Sequence, residues 1–242
     1  MRKTTALLLV IFLGAALYFH IQSKPERSIA IIPYKWASAE TAAKRVGEEI
    51  VYDIKYGAVT IGTSRFNCLA DSRIDGSAVN VMTLNTSAPH FKDTETVYSY
   101  PDSNLPLRVE RYISRWPVWE KITEEYDQKN FTVNITKNNG TKNVIKKEGV
   151  IYNAVLLPYF IRRADNLNPG WAIAVTLPTQ QFSVTLVSVE DLTVPAGTFR
   201  TYHFKSDPKK FEIWITADER RIPVKIQGLG VFGYSMLMRK YH

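Results

Sequence analysis

Catalysis by side chains needs groups that can converge, and this chain offers few. Its four histidines are His20 in an apolar leader, His90 near a turn, His203 in a strand-like run and His242 at the terminus. None stands at a metal-ligand spacing from another His, Cys or carboxylate, so no metal is expected. Cys68, the single cysteine, lies in an apolar run and reads as a buried, inert thiol. Ser206-Asp207-Pro208-Lys209 has the Ser-x-x-Lys spacing of some acyl enzymes. That pairing needs a helical turn, whereas this is a Pro-containing turn between strands. Glu110, Glu120, Glu124, Glu125 and Asp127 crowd one region. Two of them could perform acid–base chemistry on a glycan or lipid if burial raised one pKa; the plainer reading is a solvated strand face. No Gly-rich phosphate loop is present, and no cofactor is expected.

Binding chemistry has one better candidate. Tyr159, Phe160, Arg162 and Arg163, with Trp171 further on, describe an apolar helix ending in two cations beside an indole. Such a helix could lay acyl chains against a sheet and hold an anionic headgroup on its arginines. The plainer alternative is a core helix with a solvated end.

The elements that must position these residues are mostly strands. Ile50, Tyr52, Ile54 and Tyr56 alternate with Val51, Asp53 and Lys55, which predicts a strand from Gly47 onward. Gly57 and Gly62 bracket a second apolar stretch, and Ala78 to Leu84 follows the turn Asp75-Gly76. Pro106–Ser114 and Val118–Tyr126 read as a pair joined across Trp116-Pro117. Phe131, Val133 and Ile135 run into Asn138-Asn139-Gly140, the clearest hairpin signal. Phe182–Leu186, a turn at Pro195-Ala196-Gly197, Phe199–Lys205, Phe211–Ile215, Ile222–Ile226 and Val231–Met238 continue the meander. The expectation is a mainly β, antiparallel curved sheet, barrel-like or sandwich, with one short apolar helix within Ile151–Ala164 begun at Pro158.

Charge excludes one class of partner. The formal net charge is +8, but residues 1–46 carry seven of the 31 basic side chains and only two of the 23 acidic ones. Residues 47–242 therefore net only +3, and no nucleic-acid partner is expected. The basic excess instead flanks an apolar run from Ala6 to Phe19. Arg2 and Lys3 before that run make an export signal. No small-x-small cleavage site follows directly, the nearest being Ala37-Ser38-Ala39. Residues 4–21 reach the lower limit of a membrane span, so an uncleaved signal anchor is favoured over a cleaved leader. The expected organisation is an anchor helix over residues 1–21, a tether over 22–46 with Pro25 and Pro33, and one β domain over 47–242.

The ordered landmarks resemble a bacterial family known as DUF3108. They are Gly47-Glu48-Glu49-Ile50-Val51-Tyr52, then Tyr56-Gly57 and Gly62, and Leu105-Pro106-Leu107-Arg108. Leu157 to Arg162, Val194-Pro195-Ala196-Gly197-Thr198-Phe199, and Asp218 to Lys225 with Arg221-Ile222-Pro223-Val224-Lys225 complete them. The resemblance spans nearly all of residues 47–238. It implies an exported Gram-negative protein and carries no catalytic residues to transfer. The long tether and missing cleavage site depart from a plain secreted member.

The functional expectation is a non-enzymatic protein on the periplasmic face of the inner membrane, anchored through residues 4–21. It would bind a hydrophobic or lipidic ligand through Tyr159, Phe160, Arg162, Arg163 and Trp171, or serve as a subunit of an envelope transport or assembly complex. The alternative is a periplasmic hydrolase working through a carboxylate pair.

Overall fold

The strand alternation read from Ile50 onward builds one continuous antiparallel sheet. The computed structural model describes residues 46–230 and 233–242. The anchor, and all of the tether but its last residue, lie outside the described residues. Among those described, no helix is long and apolar enough to cross a membrane.

Eight strands form an up-and-down meander: β1 (Glu49–Tyr56), β2 (Val59–Ile74), β3 (Ser77–Ala88), β4 (Phe91–Ser99), β5 (Pro106–Arg115), β6 (Val118–Asp127), β7 (Thr132–Lys137) and β8 (Lys142–Lys146). Six more form a second: β9 (Ala172–Thr176), β10 (Gln181–Val194), β11 (Gly197–Asp207), β12 (Phe211–Thr216), β13 (Pro223–Gly228) and β14 (Tyr234–Tyr241). The first and last strands pair, Tyr52 with Met238 and Ile54 with Met236, which joins both meanders into one sheet ordered β8 to β1, then β14 to β9. The apolar strand around Met236 and Met238 is thus central, and both methionines are buried. The sheet is not closed: β8 and β9 are its edges. Lys142 and Lys146 on β8 discourage another chain from pairing there.

The stretch between those edges supplies the core. A short helix, α1 (Leu157–Arg162), begins with Pro158 in its first turn, where a missing N–H costs nothing. It is shorter than Ile151–Ala164. Residues before it are held outside the helix, Ile151 by Gln128 and Tyr152 by the carbonyl of Thr176 on β9. Leu156, Leu157, Phe160 and Ile161 are buried, each worth about 1.5–3 kcal/mol. Partners come from both meanders: Phe66 on β2 meets Tyr159, Glu95 on β4 meets Asn153, and Arg221 between β12 and β13 meets Arg162. The sheet therefore curls around α1, as expected of a curved sheet with one apolar helix.

Candidate functional site

The expected binding residues divide between different surroundings. Arg162, at the end of α1, sends Nη1 and Nη2 to the two carboxylate oxygens of Glu48 at 2.7 Å each, and Nε to the carbonyl of Arg221 at 2.8 Å. The Glu48 side chain is 1% exposed and that of Arg162 12%. This is a bidentate ion pair in the protein interior. The ring of Tyr159 lies under the Arg162 guanidinium at 4.6 Å. Arg221 returns the contact, donating from Nη1 to the carbonyls of Arg162 and Ala164. Tyr52 donates its hydroxyl to the carbonyl of Pro223 at 2.6 Å.

Arg163 points elsewhere. It is buried, donates Nη2 to the carbonyl of Asp102 at 2.7 Å, and its Nε has no hydrogen-bond partner among the described residues. Phe160 packs edge-on against Tyr152, 4.9 Å between centroids. Trp171 is half-buried and meets Phe204 of β11. Cys68 stands 3.8 Å from a Glu48 oxygen; burial, and next the Glu48 charge, push its thiol up to about 11. It is a poor nucleophile at neutral pH.

The carboxylates predicted as a pair disperse. Asp127 accepts from the backbone of Lys129 and Asn130, Glu120 accepts from Lys137 at 2.7 Å, and Glu125 from Arg108 at 3.2 Å. Glu124 alone of that group joins a buried cluster on the inner face, with Asp93, Glu95, Arg111, Tyr126 and Asn153. Arg111 Nε donates to Asp93 at 2.9 Å and lies 3.7 Å from Glu95. Asn153, just ahead of α1, donates to Glu95 at 3.2 Å, and Tyr126 donates to Glu124 at 2.5 Å. Burial pushes Glu95 up to about 7; Arg111 opposes that and Glu124 adds to it. Burial also raises Glu124, against the pull of Tyr126 and Arg111. The missed carboxylates lie on β4, where Asp93 and Glu95 share the inner face with Phe91 and Val97 and so mask the apolar alternation that signals a strand.

A third cluster decorates the outer face. A bulge between Leu186 and Ser188 turns Ser188 and Glu190 to the same side as His203. His203 stacks on Trp214 at 4.1 Å, and Lys225 covers that indole at 4.0 Å. His203 Nε2 is 2.8 Å from Glu212, and Trp214 Nε1 donates to Glu190 at 2.8 Å. Ser188 lies 3.5 Å from His203 Nδ1 but gives its proton to Glu190 at 2.9 Å, so this is no activated serine. His203 is the sheet-face side chain anticipated from the sequence.

The family described as "Protein of unknown function (DUF3108)" matches residues 51–238. The chain belongs to the DUF3108 family. No curated protein matches it. Among solved structures it is similar to a beta-barrel-like protein of the DUF1849 domain of unknown function from Brucella abortus, with a TM-score of 0.52 and 10% identity. That match covers 83% of this chain and 99% of the other, and shows a shared fold alone. A Bacteroides fragilis protein described as having a YmcC-like fold gives a TM-score of 0.34 at 8% identity, over 82% of this chain and 97% of that one. At that score the second likeness carries no structural argument.

In this DUF3108 chain, three of the sequence landmarks meet in space. The Glu48 end of β1, Arg162 of α1 and the Arg221–Lys225 segment share one buried network at one end of the sheet. The Val194–Phe199 landmark reaches the central strand, where Ala196 N donates to the carbonyl of Met238 at 3.0 Å.

Proposed function

We propose that this chain is an exported, non-catalytic protein of the cell envelope, held at the inner membrane by residues 4–21 and acting there as a subunit of a transport or assembly complex. The observation that carries this reading over a lipid carrier is the engagement of Arg162. With Glu48 on both terminal nitrogens and a carbonyl on the third, it keeps no two adjacent parallel N–H groups to grip a headgroup as a fork. The apolar side chains of α1 pack on protein instead of awaiting an acyl chain. Export rests on Arg2, Lys3 and the apolar run to Phe19. Purification of the full chain from its native membrane in mild detergent, with mass spectrometry of the intact complex, tests this. A stoichiometric partner protein is expected; a lone protomer carrying one lipid would overturn it.

One observation favours a second reading. Glu95, poised near neutrality beside Glu124, has the protonation behaviour of a general acid in a periplasmic hydrolase. Release of product from envelope glycan or phospholipid by the wild type, abolished by Glu95→Gln, would establish it. Equal release by both proteins would end it.

A further inference from the structure

The β5–β6 hairpin ends in a feature that neither the core nor the buried clusters use. Trp116 at its tip is 78% exposed, Val118 67% and Trp119 53%. Tyr112, also exposed, stacks on Trp119 with 5.9 Å between centroids. A tip of this kind costs solubility unless something covers it. At the same end of the sheet the β1–β2 turn exposes Val59 and Tyr56, since Tyr56–Val59, Ala88–Phe91 and Arg115–Val118 are the last pairs of three hairpins.

The charges around the tip are one-sided. Lys92 pairs across the sheet with Ser114, Lys121 with Tyr112, and Arg115 with Val118, which places three cations beside the aromatic residues. On the face that carries Tyr112 and Trp119 the nearest carboxylate of β5 and β6, Glu110, stands one pair further from the tip than Lys121. Glu120 and Asp93, on the opposite face, are engaged by Lys137 and Arg111. Trp and Tyr prefer the boundary between acyl chains and headgroups, and each nearby Lys or Arg contributes about 1 kcal/mol towards an anionic surface.

The geometry points to a peripheral docking site: the Trp116–Trp119 tip, with Tyr112, inserts into the interface of a bilayer containing anionic lipid while Lys92, Arg115 and Lys121 meet its headgroups. This goes beyond the role of subunit, because it assigns the domain a face and an orientation whatever its partner. The tip lies at the opposite end of the sheet from Gly47, where the tether enters. The eight residues of β1 span only about 26 Å, whereas the tether of about 25 residues can extend to roughly 80 Å. Anchor and tip can therefore meet one membrane.

The test uses the full chain in vesicles of phosphatidylethanolamine and phosphatidylglycerol, with tryptophan emission quenched by lipids brominated near the headgroup. Trp116→Gln with Trp119→Gln is compared with wild type, and Trp116→Gln alone guards against loss of the Tyr112 stack. If the tip is inserted, removing its indoles removes quenched emission, and the quenched fraction falls. If the tip stands in water, the same change removes unquenched emission and the fraction rises. That rise overturns the proposal and leaves the tip to a protein partner. Neutralising Lys92, Arg115 or Lys121 should weaken insertion about fivefold per cation. Equal tip quenching in phosphatidylcholine vesicles would contradict the anionic preference.

Discussion

Glu48 and Arg162 stand 114 residues apart in sequence and are joined by two parallel hydrogen bonds of 2.7 Å. Their pair ties the entry of β1 to the end of α1, and so fixes the helix within the curled sheet. Its second oxygen also approaches Cys68, and its guanidinium covers Tyr159.

Breaking that pair leaves one uncompensated charge in the interior. Arg162→Gln should cost about 3–5 kcal/mol in denaturant unfolding of the full chain. The double change Glu48→Gln with Arg162→Gln should cost less than the two single changes together, because neither charge is then stranded. Strict additivity in the denaturant midpoints would show that the two side chains do not act as a unit.

Gly197 opens β11 with φ of +135°, a backbone region that L side chains rarely adopt. The sequence predicts a positive φ there from Pro195-Ala196-Gly197. Gly197→Val should cost about 1–3 kcal/mol and lower the melting temperature by several degrees. An unchanged melting temperature would mean that the turn accommodates a β-branched residue.

Glu95 should make stability depend on pH in a definite direction. In the folded chain it holds its proton to about pH 7, against 4.5 for an ordinary glutamate. Between those values the folded state binds more protons, so stability falls as pH rises and the loss is complete above 7. The shift corresponds to about 3 kcal/mol, with Glu124 acting in the same sense. Asp93, Arg111, Asn153 and Tyr126 are the polar groups facing the pair. Glu95→Gln should flatten the profile between pH 4.5 and 7. An unaltered slope would place the titration elsewhere.

Much of this architecture is legible one strand at a time. The alternation at Ile50–Tyr56, the Asn138-Asn139-Gly140 hairpin and the pair across Trp116-Pro117 are local signals, and each corresponds to an observed element. β4 escapes such a reading because Asp93 and Glu95 occupy its inner face, where an apolar residue would announce burial. β9 has only five residues between a turn and a loop. The short helix begun at Pro158 is foreseen within one residue of its observed start, and contacts to Gln128 and Thr176 hold Ile151 and Tyr152 outside it. Long-range partnerships carry no local signal. Nothing near Arg162 in sequence points to Glu48, and nothing near Glu124 points to Glu95. Gly62 likewise looks like a turn residue; instead it lies within β2, where an added Cβ would come 2.5 Å from the Ser87 carbonyl oxygen.

Hydrogen exchange of the α1 amides tests most directly whether the helix is part of the core or the gate of a ligand cavity. Tyr159, Phe160, Arg163 and Ala164 donate backbone hydrogen bonds within this turn region. If the Glu48–Arg162 pair and the surrounding packing lock the helix in place, these amides should exchange as slowly as those of the central strands β1 and β14, and added phospholipid should leave their rates unchanged. Fast exchange of the helix that slows on adding lipid, with the central strands unaffected, would contradict the account and restore the ligand-binding reading of Tyr159, Phe160, Arg162, Arg163 and Trp171.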